Sequence, residues 1–220
     1  MTGTQIITSF ERQVDDVTEL STAEELSLAN RVYLRICRDR PWEFLKTAVT
    51  GSIVLDATTG LYYITTPSDL FFLCQNANYT ENFMENQSGK APVVVLVGSN
   101  YTPYQVVNFS DRRQYRNKSG YCYYDVANSK IWFTGSTAPV ALTYEFDYCK
   151  VPAVITAGTS PAVPTAIQQP MADAIVYGMA TENDVLQISD KAKSYIKENN
   201  SLYEKSLLDL QYWNANLQMN

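Results

Sequence analysis

The sequence contains no histidine, and this absence excludes several kinds of active site. Neither a Ser-His-Asp nor a Cys-His nucleophile can be assembled within the chain, and no zinc site can use histidine. The four cysteines, Cys37, Cys74, Cys122 and Cys149, lie far apart and form no Cys-x-x-Cys pair. We therefore expect no catalytic residue, metal or cofactor, and the spacing favours buried thiols over disulfides.

Long apolar runs, a secretory leader and an excess of positive charge are also missing. The longest apolar stretches, Leu70–Cys74 and Val93–Val97, fall far short of the about 18 residues that a membrane span needs. Residues 1–5 lack the basic flank and apolar segment of a secretory signal. The net charge of −6 argues against general nucleic-acid binding, which depends on neutralising phosphates. These features predict a soluble protein made in a cytoplasm, with no membrane partner.

The chain does contain enough apolar sequence for a core. Hydrophobic residues make up 45% of it and charged residues 18%, which excludes global disorder. Ordinary sheet faces account for most of the sixteen tyrosines, and the others suit protein interfaces, because the ring brings contact area and the hydroxyl a polar handle.

Apolar periodicity predicts helices near both ends of the chain. A first helix should place Ile6, Phe10 and Val14 on one face, and a second should begin at a capping box of Ser21 with Glu24. Near the C-terminus, one helix is expected over 168–182 and a longer one from about Ser189. The last six residues carry neither a cap nor a clear period, so we expect them to form a loose tail.

The middle of the chain is typical of short strands and turns. Strands are expected at 53–55, 61–65, 70–75, 92–97, 104–109, 121–126, 130–134 and 140–148. Two hairpin turns are expected, at 56–60 and 127–129, and Leu142, Tyr144 and Phe146 should point to one face of the last strand. Residues 151–164 contain proline, glycine and serine and fit neither period.

These elements predict an α+β fold. We expect a helical bundle formed by the N- and C-terminal helices, with an inserted antiparallel β-sandwich-like domain, because neither pair of helices can bury its apolar face alone. The helical body would comprise residues 1–46 and 165–220, and the inserted β domain with its linker residues 47–164.

One segment concentrates positive charge in this acidic chain. Residues 111–118 include Arg112, Arg113, Arg116 and Lys118 against the single Asp111. The segment is interpreted either as a solvated loop or as an electrostatic contact for an acidic partner or for DNA passing nearby.

The order of these parts resembles that of the tailed-bacteriophage head-to-tail connector (adaptor or neck) proteins. The similarity lies in Asn30–Ile36 running into Pro41–Leu45, in Tyr62–Leu70, and in the later segments Tyr123–Asp125, Ile131–Phe133, Leu142–Phe146, Pro161–Pro164 and Ile175–Gly178. The resemblance covers about residues 5–213 and rests on order and spacing rather than on any single motif.

The resemblance implies a structural virion protein of the neck. Such connectors form a ring, usually twelvefold, between portal and tail, and genomic DNA passes through the lumen without sequence-specific binding. On this basis we expect Trp213, Leu217 and Met219 to dock into the portal, and Tyr101, Tyr104, Tyr121 and Tyr123 to contact the tail or a neighbouring subunit. Another neck or tail-completion protein, or a carbohydrate-binding β module of a tail fibre, remains an alternative.

Overall fold

The computed structural model describes residues 1–14, 20–40, 42–74, 93–135, 139, 141–186 and 190–218. Over these residues the chain is α+β, with five α-helices and nine strands. The helices are α1 Gly3–Val14, α2 Thr22–Arg38, α3 Arg112–Tyr115, α4 Gln168–Leu186 and α5 Asp190–Gln218. The strands are β1 Lys46–Ser52, β2 Val54–Leu55, β3 Tyr62–Thr65, β4 Leu70–Leu73, β5 Val93–Val97, β6 Tyr101–Val107, β7 Tyr121–Asp125, β8 Lys130–Phe133 and β9 Thr143–Lys150.

The chain divides into two compact units. The helical unit combines Met1–Phe44 with Pro152–Asn220, and the strand unit is the continuous segment Leu45–Val151. In the helical unit, α4 packs against α1, α2 and α5. None of the described helices is both long and apolar enough to cross a bilayer.

Helix α2 forms as its sequence predicts. Ser21 adopts an extended conformation, and its side chain accepts a hydrogen bond from the Glu24 backbone N–H, while the Glu24 carboxylate accepts one from the Ser21 N–H at 2.9 Å. This confirms the capping box. At the other end, the buried Trp42 indole donates to the Ile36 carbonyl at 2.8 Å, which satisfies an acceptor in the last turn.

Residues 152–164 pack on the helices of their own unit. The N–H groups of Gly3 and Thr4 donate to the carbonyls of Thr159 (2.9 Å) and Ala157 (3.0 Å), so this segment satisfies free donors in the first turn of α1. The Asn30 side chain pairs with both backbone groups of Ile155, accepting from its N–H at 2.8 Å and donating to its carbonyl at 2.9 Å. These polar contacts hold a segment that has no helix or strand of its own.

The strand unit contains one hydrogen-bonded sheet in the order β1-β9-β5-β6-β7-β8-β3-β2. Strand β9 is central: β1 pairs with it over Lys46–Ser52, and β5 and β4 pair along its other edge. The strand pairs are antiparallel except β6 with β7, which are parallel. The helical-bundle and sandwich-like parts of the sequence prediction are not confirmed by this arrangement.

The core of the strand unit follows the predicted alternation. Tyr144, Phe146 and Tyr148 of β9 are buried, while Leu142, expected on the same face, precedes the strand and is 59% exposed. The buried residues that form this core are Ile53, Ile64, Val94, Leu96, Tyr104, Cys122, Ile131, Phe133, Tyr144, Phe146 and Tyr148.

Both predicted hairpins are confirmed. Asp56 accepts from the Thr58 N–H at 2.8 Å in the β2–β3 turn, and Asp125 caps the β7–β8 turn, where Ser129 adopts a left-handed φ of 51°. The prediction of a loose C-terminal tail is wrong, because α5 continues to Gln218. Ser189, its expected cap, lies outside the described residues.

Candidate functional site: an arginine-lined cavity

The basic segment is the connection between the two parallel strands of the sheet. Strands β6 and β7 pair with Gln105 opposite Tyr121, so the chain must return to the starting edge before β7 begins. A parallel pair cannot be joined by a tight hairpin, and a crossover is required. This crossover contains a 3-10 turn, Phe109–Asp111, followed by the short helix α3. A helix here was not predicted from the sequence.

Hydrogen bonds to backbone carbonyl groups hold the crossover against the end of β8. The Thr134 hydroxyl lies 2.6 Å from the Lys118 carbonyl and 2.9 Å from the Tyr121 carbonyl, both within donating distance. The Gly135 N–H donates to the Arg116 carbonyl at 3.0 Å. Gly135 has a φ of 103°, a conformation that a side chain would strain. The crossover is therefore a folded platform rather than a free loop.

Arg112 is fixed by contacts with Phe109. Its guanidinium lies 3.8 Å from the centre of the Phe109 ring and donates to the Phe109 carbonyl at 2.7 Å. The Phe109 ring in turn meets Tyr123 edge to face, with ring centres 5.8 Å apart. A cation held over an aromatic face and by a hydrogen bond loses little further freedom on binding a ligand.

Three of the four predicted basic residues border one cavity of about 410 Å³. The lining residues come from the crossover, the β2–β3 turn, β7 and the end of β8: Thr59, Leu61, Arg112, Arg113, Arg116, Tyr123, Phe133 and Thr134. Lys118 is not among them, and its ammonium lies 4.9 Å from the centre of the Tyr115 ring. The cavity thus combines arginines with hydroxyls and an apolar wall.

The three guanidinium groups are not neutralised by the part of the chain that the structure describes. The ion pairs found there involve Arg31 and Arg35 with Glu182, and Arg40 with Asp39. Burial raises the pKa of Tyr123, and the positive charges of Arg112 and Arg116 partly offset this increase. Its hydroxyl therefore remains a donor at neutral pH. Arginines and hydroxyl donors around one space suit a carboxylate or phosphate, which arginine can hold with two parallel hydrogen bonds.

The expected portal anchors lie on or beyond the last turns of α5. Trp213 is half-buried, and its ring centre lies 6.5 Å from that of Phe44, so it contributes to packing within the helical unit. Leu217, one turn further on the same face, is 47% exposed. Met219 lies outside the described residues. Of the two residues of this set that the structure describes, Leu217 is the exposed one.

The four tyrosines expected as contacts have different environments. Tyr101 is 61% exposed, and Tyr121 packs on Tyr115 with ring centres 4.6 Å apart. Tyr123 lines the cavity. Tyr104 is 7% exposed in the sheet core, so the prediction of a surface contact is wrong there: its ring packs edge to face on Phe133 instead.

Sequence reasoning found the arginines but missed the rest of the cavity wall. Thr59 and Leu61 follow a predicted turn, and Phe133 and Thr134 end a predicted strand, but nothing in their local sequence connects them with the crossover. Only the pairing of β3 with β8 and of β8 with β7 brings these residues together.

Comparison with known proteins gives one family. A search of curated proteins finds no match for this chain. The family model described as SU10 adaptor protein matches residues 1–216. This is a family of phage head-to-tail adaptors, which are structural virion components, and membership implies interaction with portal and tail proteins. The chain belongs to the SU10 adaptor protein family.

Proposed function

We propose that this chain is the subunit of a ring that joins the portal vertex to the tail and lets DNA pass through its lumen. The observation that carries the proposal is the family match over residues 1–216. By the earlier resemblance the ring has twelve copies. A closed ring needs two different complementary surfaces on each subunit, so that the same contact repeats until it closes.

The parts of the chain take separate roles in this proposal. The helical unit, Met1–Phe44 with Pro152–Asn220, acts as the body that makes the ring contacts, and the strand unit, Leu45–Val151, acts as the inserted β domain that faces the tail or a neighbouring subunit. The net charge of −6 supports passage of DNA, because an acidic wall lets a polyanion slide rather than bind. No catalytic step is part of this function.

The end of α5 is proposed to dock into the portal through Leu217, and Trp213 and Met219 are proposed as the other anchors. An exposed leucine at the end of a helix is favourable to bury against an apolar pocket, at about 25 cal/mol per Å² of apolar surface. Deleting 211–220 is a poor test, because it also removes Asn214, whose side chain accepts from the Glu43 N–H at 2.8 Å. A point substitution is cleaner.

Leu217→Asp should abolish capture of the chain by immobilised portal and leave the fold intact. The matched control is Leu208→Asp, which changes a leucine of similar exposure, 51% against 47%, on a different face of the same helix. Circular dichroism verifies folding of both. Equal capture of the two variants would refute docking through Leu217.

The arginine-lined cavity is proposed to receive a carboxylate side chain from a neighbouring protein rather than DNA. Its wall is partly apolar, with Leu61, Tyr123 and Phe133, which suits the stem of an aspartate or glutamate. Copies of this acidic chain and tail proteins are both candidates. The charge reversal Arg113→Glu with Arg116→Glu should weaken subunit or tail association at least tenfold.

The control for the cavity is a charge reversal of the same size elsewhere. Lys197→Glu with Lys205→Glu changes two exposed residues of α5, outside the strand unit, and should leave tail association unchanged. If the arginine pair instead affected only retention of DNA in filled particles, the DNA contact would replace the carboxylate contact. If neither property changed, the segment would be a solvated surface.

Electron microscopy of the purified chain mixed with portal tests the whole proposal. We expect a ring of additional density on one face of the portal, and separate capture assays with portal and tail proteins should both be positive. A chain that binds tail proteins but never portal would be a tail-completion protein. A chain that binds neither and stays monomeric would overturn the adaptor function.

A further inference from the structure

Two of the four cysteines lie in direct contact inside the strand unit. Cys149 belongs to β9, and Cys74 directly follows β4, where its N–H donates to the Asp147 carbonyl at 3.1 Å. The two Sγ atoms are 2.9 Å apart, and both residues are buried, with 2% and 0% exposure. Cys122 instead directs its thiol at backbone carbonyls, and Cys37 belongs to the helical unit.

We propose that Cys74 and Cys149 are a disulfide-forming pair, which an oxidant converts into a covalent link between β4 and β9. A disulfide bond is about 2.05 Å long, so the sulfur atoms need to approach by only about 0.9 Å. Strand β4 can supply this movement because it is short and its register against β9 shifts between Leu70 and Phe72. Cys74 also lies just beyond the last paired residue of the strand.

The reaction balances with a peroxide as the oxidant. Hydrogen peroxide oxidises one thiol to a sulfenic acid and releases one water molecule. The sulfur of the second thiol then displaces the hydroxyl group, which leaves with a proton as a second water molecule. The two thiols together lose two electrons and two protons, and the peroxide is reduced to two molecules of water.

The same environment keeps the pair reduced until an oxidant is present. The hydrogen bond between the thiols and their burial raise the pKa of Cys74, so the reactive thiolate is scarce at neutral pH. If the chain has the adaptor role proposed above, the thiols persist in the reducing host cytoplasm. The link then forms in the released particle. The site itself depends only on the geometry of the strand unit.

The test is a count of thiols in the folded full-length chain before and after hydrogen peroxide. Denatured samples should bind four equivalents of a thiol reagent before treatment and two after it, because the chain has four cysteines and the link consumes two thiols. Digestion without reduction should yield one linked pair of peptides containing Cys74 and Cys149. The rate should rise about tenfold from pH 7 to pH 8, as the thiolate fraction does.

Matched variants assign the link to this pair. Cys74→Ala and Cys149→Ala should form no link, whereas Cys37→Ala should still form it and leave one free thiol. The link should raise the Tm of the oxidised protein by about 5 to 10 °C, reversibly on reduction. Retention of four thiols, a link through Cys37 or Cys122, or conversion of both residues to sulfinic acids would overturn the proposal. These measurements need no portal, so failure here leaves the adaptor function untouched.

Discussion

Helices α4 and α5 pack against each other in the helical unit, yet they bury different kinds of residue. Helix α4 buries mainly small or apolar side chains, together with the amide of Asn183; the apolar set is Met171, Ala172, Ala174, Ile175, Val176, Met179 and Ala180. The buried side chains described in α5 are mainly polar: Asn199, Ser206 and Asn214, with Leu210 between them.

Because of this difference, α4 acts as a core helix, whereas α5 offers exposed side chains to other proteins. Small residues allow α1, α2 and α5 to approach α4 closely, so α4 has little surface left for a partner. Helix α5 is held partly by hydrogen bonds, such as that from the Gln13 amide to the Asn199 side chain at 2.9 Å. Its exposed apolar residues, Leu208, Tyr212 and Leu217, therefore remain available to other proteins.

The largest expected effect comes from truncating one apolar residue in each helix. Ile175→Ala should lower the free energy of unfolding by about 3 kcal/mol, because it leaves a cavity in a fully buried site. Leu208→Ala, at a 51% exposed site, should change it by less than about 0.5 kcal/mol. Urea denaturation measures both. Similar costs at the two sites would remove the distinction between the helices.

A smaller cost is expected at Gly178 of α4, which side chains of α2 and α5 both approach. A Cβ atom at Gly178 would lie 2.5 Å from Cγ1 of Val32 and 3.1 Å from Cε2 of Tyr203. Gly178→Ala should cost about 1–2 kcal/mol, because the clash outweighs the better helix propensity of alanine. Gly158→Ala is the control, since a Cβ there meets nothing within 4 Å. A more stable Gly178→Ala variant would show that the contact is looser than described.

The polar attachment of α5 is tested at Asn214. Asn214→Ala removes the hydrogen bond that its side chain accepts from the Glu43 N–H, and should cost about 1 kcal/mol. Asp209→Ala is the control: it changes an exposed residue of the same helix with a similar gain in helix propensity, and should not lower the denaturation midpoint. Equal midpoints for the two variants would mean that apolar packing alone holds α5.

The smallest expected effect concerns a buried polar group of a different kind, in α2. Burial, with a smaller contribution from Glu11, raises the pKa of Glu25. When the pKa of a carboxyl group is raised in the folded state, the protein becomes less stable as pH rises, because the folded state disfavours the charged form of that group. Glu25→Gln should therefore raise the Tm by about 1–2 °C at pH 7 and leave it unchanged below the ordinary pKa of glutamate.

The neighbouring Glu24 provides the control of opposite sign. Its hydrogen bonds with Ser21 lower the pKa of this fully exposed carboxyl, so its contribution to stability is present at neutral pH and lost as pH falls. Glu24→Gln should lower the Tm slightly at pH 7. If both variants shifted the Tm in the same direction at pH 7, burial would not explain the behaviour of Glu25.

Local signals were predicted well, and long-range pairing was not. The capping box at Ser21, the two hairpin turns and the burial of Tyr144 and Phe146 each depend on residues only a few positions apart. Strand β1 was missed, because it is a strand only through its pairing with β9, about a hundred residues later. Helix α5 was ended too early because the residues that follow Asn214 have neither a cap nor a clear apolar period, so their local sequence does not indicate that the helix continues to Gln218.

The sequence by itself determined the α+β class, the family resemblance and the clustering of arginines at residues 112–116, since each follows from composition or nearby spacing. The tertiary structure decided that these arginines, and not Lys118, line one cavity, which tyrosines reach the surface and which cysteines touch. Those outcomes depend on strand order, and strand order is fixed by the burial of side chains from distant segments in one core.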